Sequence, residues 1–99
     1  PAEIEGLLNE HPNVASVAIV AYPDREMGER ACACVIPKTG KSISFQEMVD
    51  FLKSKKLAMF KLPEKLVLMD DFPIVGDSGK IDKKVLKKQI EDKIAGGKI

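Results

Sequence analysis

Two apolar runs constrain this chain more than any other feature. Val14–Tyr22, VASVAIVAY, is rich in valine and alanine and apolar at both alternating sets of positions. Ala31–Ile36 repeats the pattern, with Ala31, Ala33 and Val35 alternating against Cys32, Cys34 and Ile36. A strand that is apolar on both faces needs cover on both, as expected in the middle of a sheet. Between the runs, Pro23–Glu29 (PDREMGE) is short and rich in turn formers, which suits an antiparallel, hairpin-like connection. Gly28 within it is expected to supply a positive φ or a close backbone approach.

The cover must come from amphipathic helices, and the remaining sequence supplies them. Residues 1–11 carry Ile4, Leu7 and Leu8 at helical spacing and are stopped by His11-Pro12-Asn13, with His11 read as a solvated cap. Ser44 and Glu47 form an S-x-x-E capping box for a helix over about Phe45–Lys55, with Phe45, Met48, Val49 and Leu52 on one side. Leu57–Pro63 is an apolar segment interrupted by Lys61, and Lys65–Met69 reads as a third strand. Asp82 caps a closing helix, Lys83–Ile94, that carries Val85, Leu86, Ile90 and Ile94 and ends at Gly96-Gly97. The order helix, strand, strand, helix, strand, helix predicts an α+β domain: a small sheet of about three strands covered by helices.

Composition narrows the function classes. Ninety-nine residues, 44% hydrophobic and 31% charged, suit one small domain. Sixteen basic and 15 acidic residues leave a net charge of +1, so anion binding must be local, and no polycationic surface is available to hold a nucleic acid backbone. No apolar run approaches the roughly 20 residues of a membrane span and no signal peptide pattern is present, so the expected location is the cytoplasm. Cys32 and Cys34 read as buried thiols, and no further Cys or paired His completes a metal-ligand set. Pro1 suits a first helical position whose capping residue is missing, as in a domain cut from a longer protein.

Phe72–Leu86, FPIVGDSGKIDKKVL, concentrates the chemistry. Gly76, Asp77 and Gly79 bend the chain and leave Lys80 at a flexible cationic tip, with the capped helix as a rigid base behind it. Lys83, Lys84, Lys87 and Lys88 follow at helical spacing and read as a solvated face.

Three stretches taken together, PAEIEGLLNEHPNVASVAIVAYPDREMGE, FKLPEKLVLMDDFP and SGKIDKKVLKKQI, resemble the C-terminal domain of the adenylate-forming enzymes, the superfamily of acyl-CoA synthetases and AMP-dependent ligases. The resemblance covers essentially the whole chain, in order. The family usually writes the last loop as P-x-T-x-x-G-K; here Pro73–Lys80 is one residue longer and has no threonine.

The resemblance implies that residues 1–99 are a mobile C-terminal lid whose large N-terminal domain lies outside this sequence. It implies an ATP-dependent acid-thiol ligase, with a small-molecule carboxylic acid and a thiol as substrates, the thiol being coenzyme A or a carrier-protein phosphopantetheine arm, and Mg2+ accompanying ATP on ligands outside this chain. Lys80 would be the catalytic lysine of adenylate formation, supported by Gly79 and Asp82. Met27, Gly28, Glu29, Phe60 and Lys61 would line the coenzyme A side. The domain alone would be inactive, and the identity of the acid would be set elsewhere.

Two competing classes remain: a stand-alone module that binds nucleic acid or protein through the lysine-rich helix, and a structural interaction domain in which the Lys80 loop is only a turn. Filter binding of DNA or RNA by this domain across a salt series separates the first from the enzyme reading. The expected outcome is no steep salt-dependent affinity; a steep dependence would favour the binding module.

Overall fold

The computed structural model describes residues 2–24, 26, 28–55 and 62–98. Its elements are α1 (Ala2–Asn9), β1 (Val14–Asp24), β2 (Gly28–Pro37), α2 (Phe45–Ser54), β3 (Lys65–Leu68) and α3 (Lys83–Ala95). The three strands form one sheet in the order β1-β2-β3. β1 and β2 are antiparallel, from Val14 opposite Pro37 to Asp24 opposite Gly28, whereas β3 runs parallel to β2, with Cys32 opposite Lys65 and Val35 opposite Leu68. The fold is therefore α+β with a mixed sheet, in the element order read from the sequence.

Period-two alternation divides the core between the faces. Val17, Ile19, Ala33 and Val35 pack with Ile4 and Leu8 of α1 and with Met48, Val49 and Leu52 of α2. Ala18, Val20, Tyr22, Cys32, Cys34 and Val67 pack with Phe72 and with Leu86 and Ile90 of α3. Val14 joins the first group although it lies three residues before Val17, because a register shift between Val14 and Ser16 inserts one residue and reverses the alternation.

Several expectations need correction. β1 is not a middle strand but an edge strand; it is apolar on both faces because α1 and α2 cover one side and α3 the other. An edge strand leaves backbone donors facing outward, and here the Glu5 carboxylate accepts the Ile19 N–H at 2.7 Å. The strands also run further into the connection than Pro23–Glu29 suggested, since Pro23 pairs with Glu29 and Asp24 with Gly28. Pro23 is tolerated there because β1 lies at the edge.

The helix ends behave as their capping residues dictate. Ser44 Oγ accepts from Glu47 N at 3.0 Å and Glu47 Oε1 accepts from Ser44 N at 2.9 Å, closing the capping box. Phe45, expected on the buried side of α2, is 43% exposed as the first residue of the helix, whereas Met48, Val49 and Leu52 are buried. Val85 of α3 is likewise 44% exposed, while Leu86 and Ile90 are fully buried. The Leu57–Lys61 part of the expected apolar segment lies outside the described residues, and Pro63 beyond it is buried. Among the described residues, no helix is long and apolar enough to cross a membrane.

The contrast along α3 is measurable by urea denaturation. Leu86→Ala should lose about 2–5 kcal/mol through the cavity it leaves, and Val85→Ala less than about 0.5 kcal/mol, as for other surface changes. Equal losses would mean that α3 docks by a different face.

Candidate functional site

The segment before α3 folds into a closed turn. Ile74 and Ile81 form an isolated antiparallel bridge, and Asp82 N donates to Pro73 O at 2.8 Å. Above that base, Val75 N donates to Lys80 O at 2.9 Å and Ser78 N to Val75 O at 3.1 Å. The Ser78 hydroxyl donates to Val75 O at 2.6 Å and accepts from Lys80 N at 3.1 Å. The tip expected to be flexible is thus tied by its own hydrogen bonds, and Ser78 is the residue that sequence reasoning missed. Its signal was a serine two positions before Lys80, where a hydroxyl can close a local turn.

Gly79 has φ +76°, a conformation in which a β-carbon would be strained, and it orients the chain just before Lys80. Lys80 itself is exposed, and its ammonium makes no hydrogen bond or ion pair among the described residues. Asp82 holds the base: its Oδ1 accepts from Val85 N at 3.2 Å, capping α3 as expected. The result is a solvated cation on a short closed turn at the start of a docked helix.

Three of the four lysines Lys83, Lys84, Lys87 and Lys88 lie beside carboxylates. Lys83 bonds to Glu5, Lys87 lies 3.7 Å from Glu29 and Lys88 lies 3.6 Å from Asp92 one turn on. Such pairing breaks up the cationic stripe that a nucleic acid backbone would need, so the binding-module reading finds no support in α3.

Glu5 takes two partners at one oxygen, Oε2: the Ile19 amide and the Lys83 ammonium. Burial is the largest single influence on its pKa and pushes it upward, but the Ile19 N–H and Lys83 together outweigh burial and hold Glu5 below the ordinary value of 4.5. Nothing in the sequence signals this contact, because 78 residues separate its ends.

Of the residues expected on the coenzyme A side, Gly28 and Glu29 lie at the hairpin end of β2, both exposed, and Met27, Phe60 and Lys61 lie outside the described residues. Gly28 has φ +79°, and a β-carbon there would meet nothing among the described residues within 4 Å, so among them its role is the positive φ. Through the Glu29–Lys87 pair this end of the sheet is joined to α3, whose first turn follows Lys80. Arg30 braces the same end, reaching Asp24 at 3.1 Å and Glu64 at 3.2 Å.

The remaining reactive groups have structural duties. Cys32 and Cys34 are buried free thiols; the neighbouring Cys32 sulfur and burial push the Cys34 thiol far up, so it stays protonated. His11 Nδ1 accepts from Asn13 N at 3.0 Å, and its ring meets Phe51 edge-on at 4.8 Å, which makes it part of the turn between α1 and β1. An open depression of about 560 Å³ lies beside Lys93, between Pro37–Ser42 and Leu68–Asp71, and none of the site residues lines it.

Residues 3–80 match the family described as the AMP-binding enzyme C-terminal domain. The chain belongs to that family. As an AMP-binding enzyme C-terminal domain, it is 40% identical over 91 residues to a mitochondrial medium-chain acyl-CoA ligase of Macaca fascicularis, spanning 92% of this chain and 14% of that protein. It is also 40% identical over 91 residues to a salicylyl-CoA synthase / salicylate adenylyltransferase of Streptomyces sp, spanning 92% of this chain and 16% of that one. Among solved structures, a Mycobacterium tuberculosis fatty acyl CoA synthetase superposes with a TM-score of 0.82 at 36% identity, over 93% of this chain and 18% of that one. The domain therefore corresponds to about one sixth of the length of such ligases.

The Glu5 contact sets a pH dependence. A lowered folded pKa means that this contribution to stability is present above the unfolded value near 4.5 and is lost as pH falls through the lower folded value. An NMR titration of the Glu5 carboxyl should give a midpoint below 4.5, and Glu5→Gln should flatten that limb of the stability curve. A midpoint above 4.5 would show that burial wins and the contact is not made in solution.

Proposed function

We propose that this domain is the C-terminal lid of a longer AMP-forming acid-thiol ligase and that Lys80 acts in its first half-reaction. The observation that carries the reading is the exposed Lys80 ammonium, without a partner among the described residues, on a hydrogen-bonded turn at the base of α3. The names of the relatives supply the reaction class, an acid joined to AMP or to coenzyme A.

In the first step a carboxylate oxygen attacks the α-phosphorus of ATP, the bond to pyrophosphate breaks, and an acyl-adenylate forms. Two anions must approach, so a compact cation placed between them lowers the barrier directly. In the second step a thiol sulfur, commonly that of coenzyme A, attacks the acyl carbon. AMP leaves, the thiol proton passes to solvent, and a thioester remains. Gly79 and Asp82 support Lys80 by shaping and anchoring its turn.

The hairpin end carrying Gly28 and Glu29 is the side we assign to the thiol substrate; the family resemblance adds Met27, Phe60 and Lys61 to that assignment. Its support is that β1, β2 and α3 share one core, with Tyr22 and Cys32 packed with Leu86 and Ile90, so a rotation of the lid would carry this end and the Lys80 turn together. Mg2+ accompanies ATP, but among the described residues no three His, Cys, Asp or Glu side chains come together to hold a metal, and no step is assigned to a metal here.

Lys80→Ala in the full-length protein tests the assignment. Acid-dependent ATP–pyrophosphate exchange should fall on the order of 10²- to 10³-fold, as for loss of one preorganised donor, while thioester formation from supplied acyl-adenylate persists. Unchanged exchange would reduce the turn to a structural feature. The domain alone should release no AMP from ATP with any acid and coenzyme A, and robust AMP production by it would contradict a site completed elsewhere.

A further inference from the structure

We propose that Glu5 is a positioning residue for Lys80: its carboxylate clasps the first turn of α3 to the outer edge of β1 and so sets the direction in which the lysine turn projects. The inference rests on the assignment of Lys80 to adenylate formation and adds a residue that touches neither substrate nor nucleotide.

α1 and α3 pack on opposite faces of the sheet, so any direct tie between them must pass around an edge. Glu5 makes that tie at β1, with Oε2 accepting from Ile19 N at 2.7 Å and from the Lys83 ammonium. Ile19 is anchored in the core between α1, α2 and the sheet, and its neighbours Ala18 and Val20 face α3. The Glu5 carboxylate is therefore held to a part of the edge whose side chains are buried on both faces.

Lys83 lies three residues beyond Lys80, and the intervening chain has little freedom. Ile81 is bridged to Ile74, and Asp82 is held twice, by its amide on Pro73 O and by its side chain on Val85 N. A movement of the first turn of α3 would therefore be passed on to the lysine turn.

The sequence at this helix start also calls for such a partner. The first turn of α3 carries Lys83 and Lys84 and no acidic residue beyond its cap, although a helix N-terminus disfavours cations. Glu5, with a side chain only 20% exposed, offsets that charge for Lys83, which is 48% exposed. A half-exposed ion pair contributes little to global stability. Its main consequence is directional, since one oxygen shared between a backbone amide and an ammonium fixes both in space. Glu5 is held in its charged form by these same partners.

The test uses the full-length protein with Glu5→Gln, which keeps an acceptor for the Ile19 amide but drops the charge, and Lys83→Met, which drops the cation. Lys83→Arg is the conservative control and Lys80→Ala the reference. Steady-state pyrophosphate exchange, thioester formation from supplied acyl-adenylate, and thermal midpoint are measured on each.

The expected result is a fall of about tenfold in exchange kcat for Glu5→Gln and Lys83→Met, the scale of a slightly misplaced catalytic group. KM for ATP and acid and thioester formation should stay close to wild type, the thermal midpoint should fall only slightly at neutral pH, as for loss of a half-exposed ion pair, and Lys83→Arg should recover most of the loss in exchange. If exchange is unchanged in both variants, or if both half-reactions fall together with a large drop in the thermal midpoint, the positioning role is overturned while the assignment of Lys80 stands on its own variant. If Lys80→Ala leaves exchange intact, that assignment fails and takes the inference with it. Should Glu5→Gln not fold, Lys83→Met gives the same decision.

Discussion

Cover on both faces of a three-stranded sheet is the constraint on which the rest of this domain depends. With Val17, Ile19, Ala33 and Val35 on one face and Ala18, Val20, Cys32 and Cys34 on the other, neither face can be left to water. α1 and α2 cover the first. α3 is the helix that packs on the second, through Leu86 and Ile90. The family match ends at Lys80, immediately before this helix, yet without α3 the second face would lie open. Lys80 thus stands three residues before the start of the helix that closes the core.

This arrangement separates two requirements that are hard to meet in one place. In the role proposed for Lys80, the cation must reach outward, hydrated and without a fixed partner, whereas precision requires that its backbone be fixed. The domain meets the second requirement with the Ile74–Ile81 bridge, the Ser78 hydroxyl, the Asp82 cap and the Glu5–Lys83 contact. It meets the first by leaving the Lys80 side chain without a partner among the described residues. Pairing Lys87 with Glu29 and Lys88 with Asp92 offsets part of the positive charge of the same helix.

Much of this was legible in the sequence because the signals are local. The capping box at Ser44 and Glu47, the Asp82 cap and the element order follow from spacings of a few residues, and the structure has all three. What was not legible involves comparison across the fold. A run that is apolar on both faces reports that it is covered twice, not where it sits in the sheet, and so β1 was misplaced to the middle. Val85 and Leu86 are adjacent and equally apolar, and only the direction from which α3 approaches decides which is buried. Phe45 was expected in the core on periodicity, which does not tell how far the buried stripe extends towards the end of a helix. The Glu5–Lys83 contact joins residues 78 apart and carries no pattern at all. Of the expected coenzyme A side, the described residues show Gly28 and Glu29 at the hairpin end, with Met27, Phe60 and Lys61 outside them.

Residue-resolved amide hydrogen exchange most directly tests the claim that Lys80 projects from an immobile base. Gly76, Asp77 and Gly79 at the tip should exchange rapidly. The Val85 and Leu86 amides in the first turn of α3, bonded to Asp82, should be protected to the same degree as β2. An α3 that exchanges throughout like a frayed tail, while the sheet remains protected, would contradict the account.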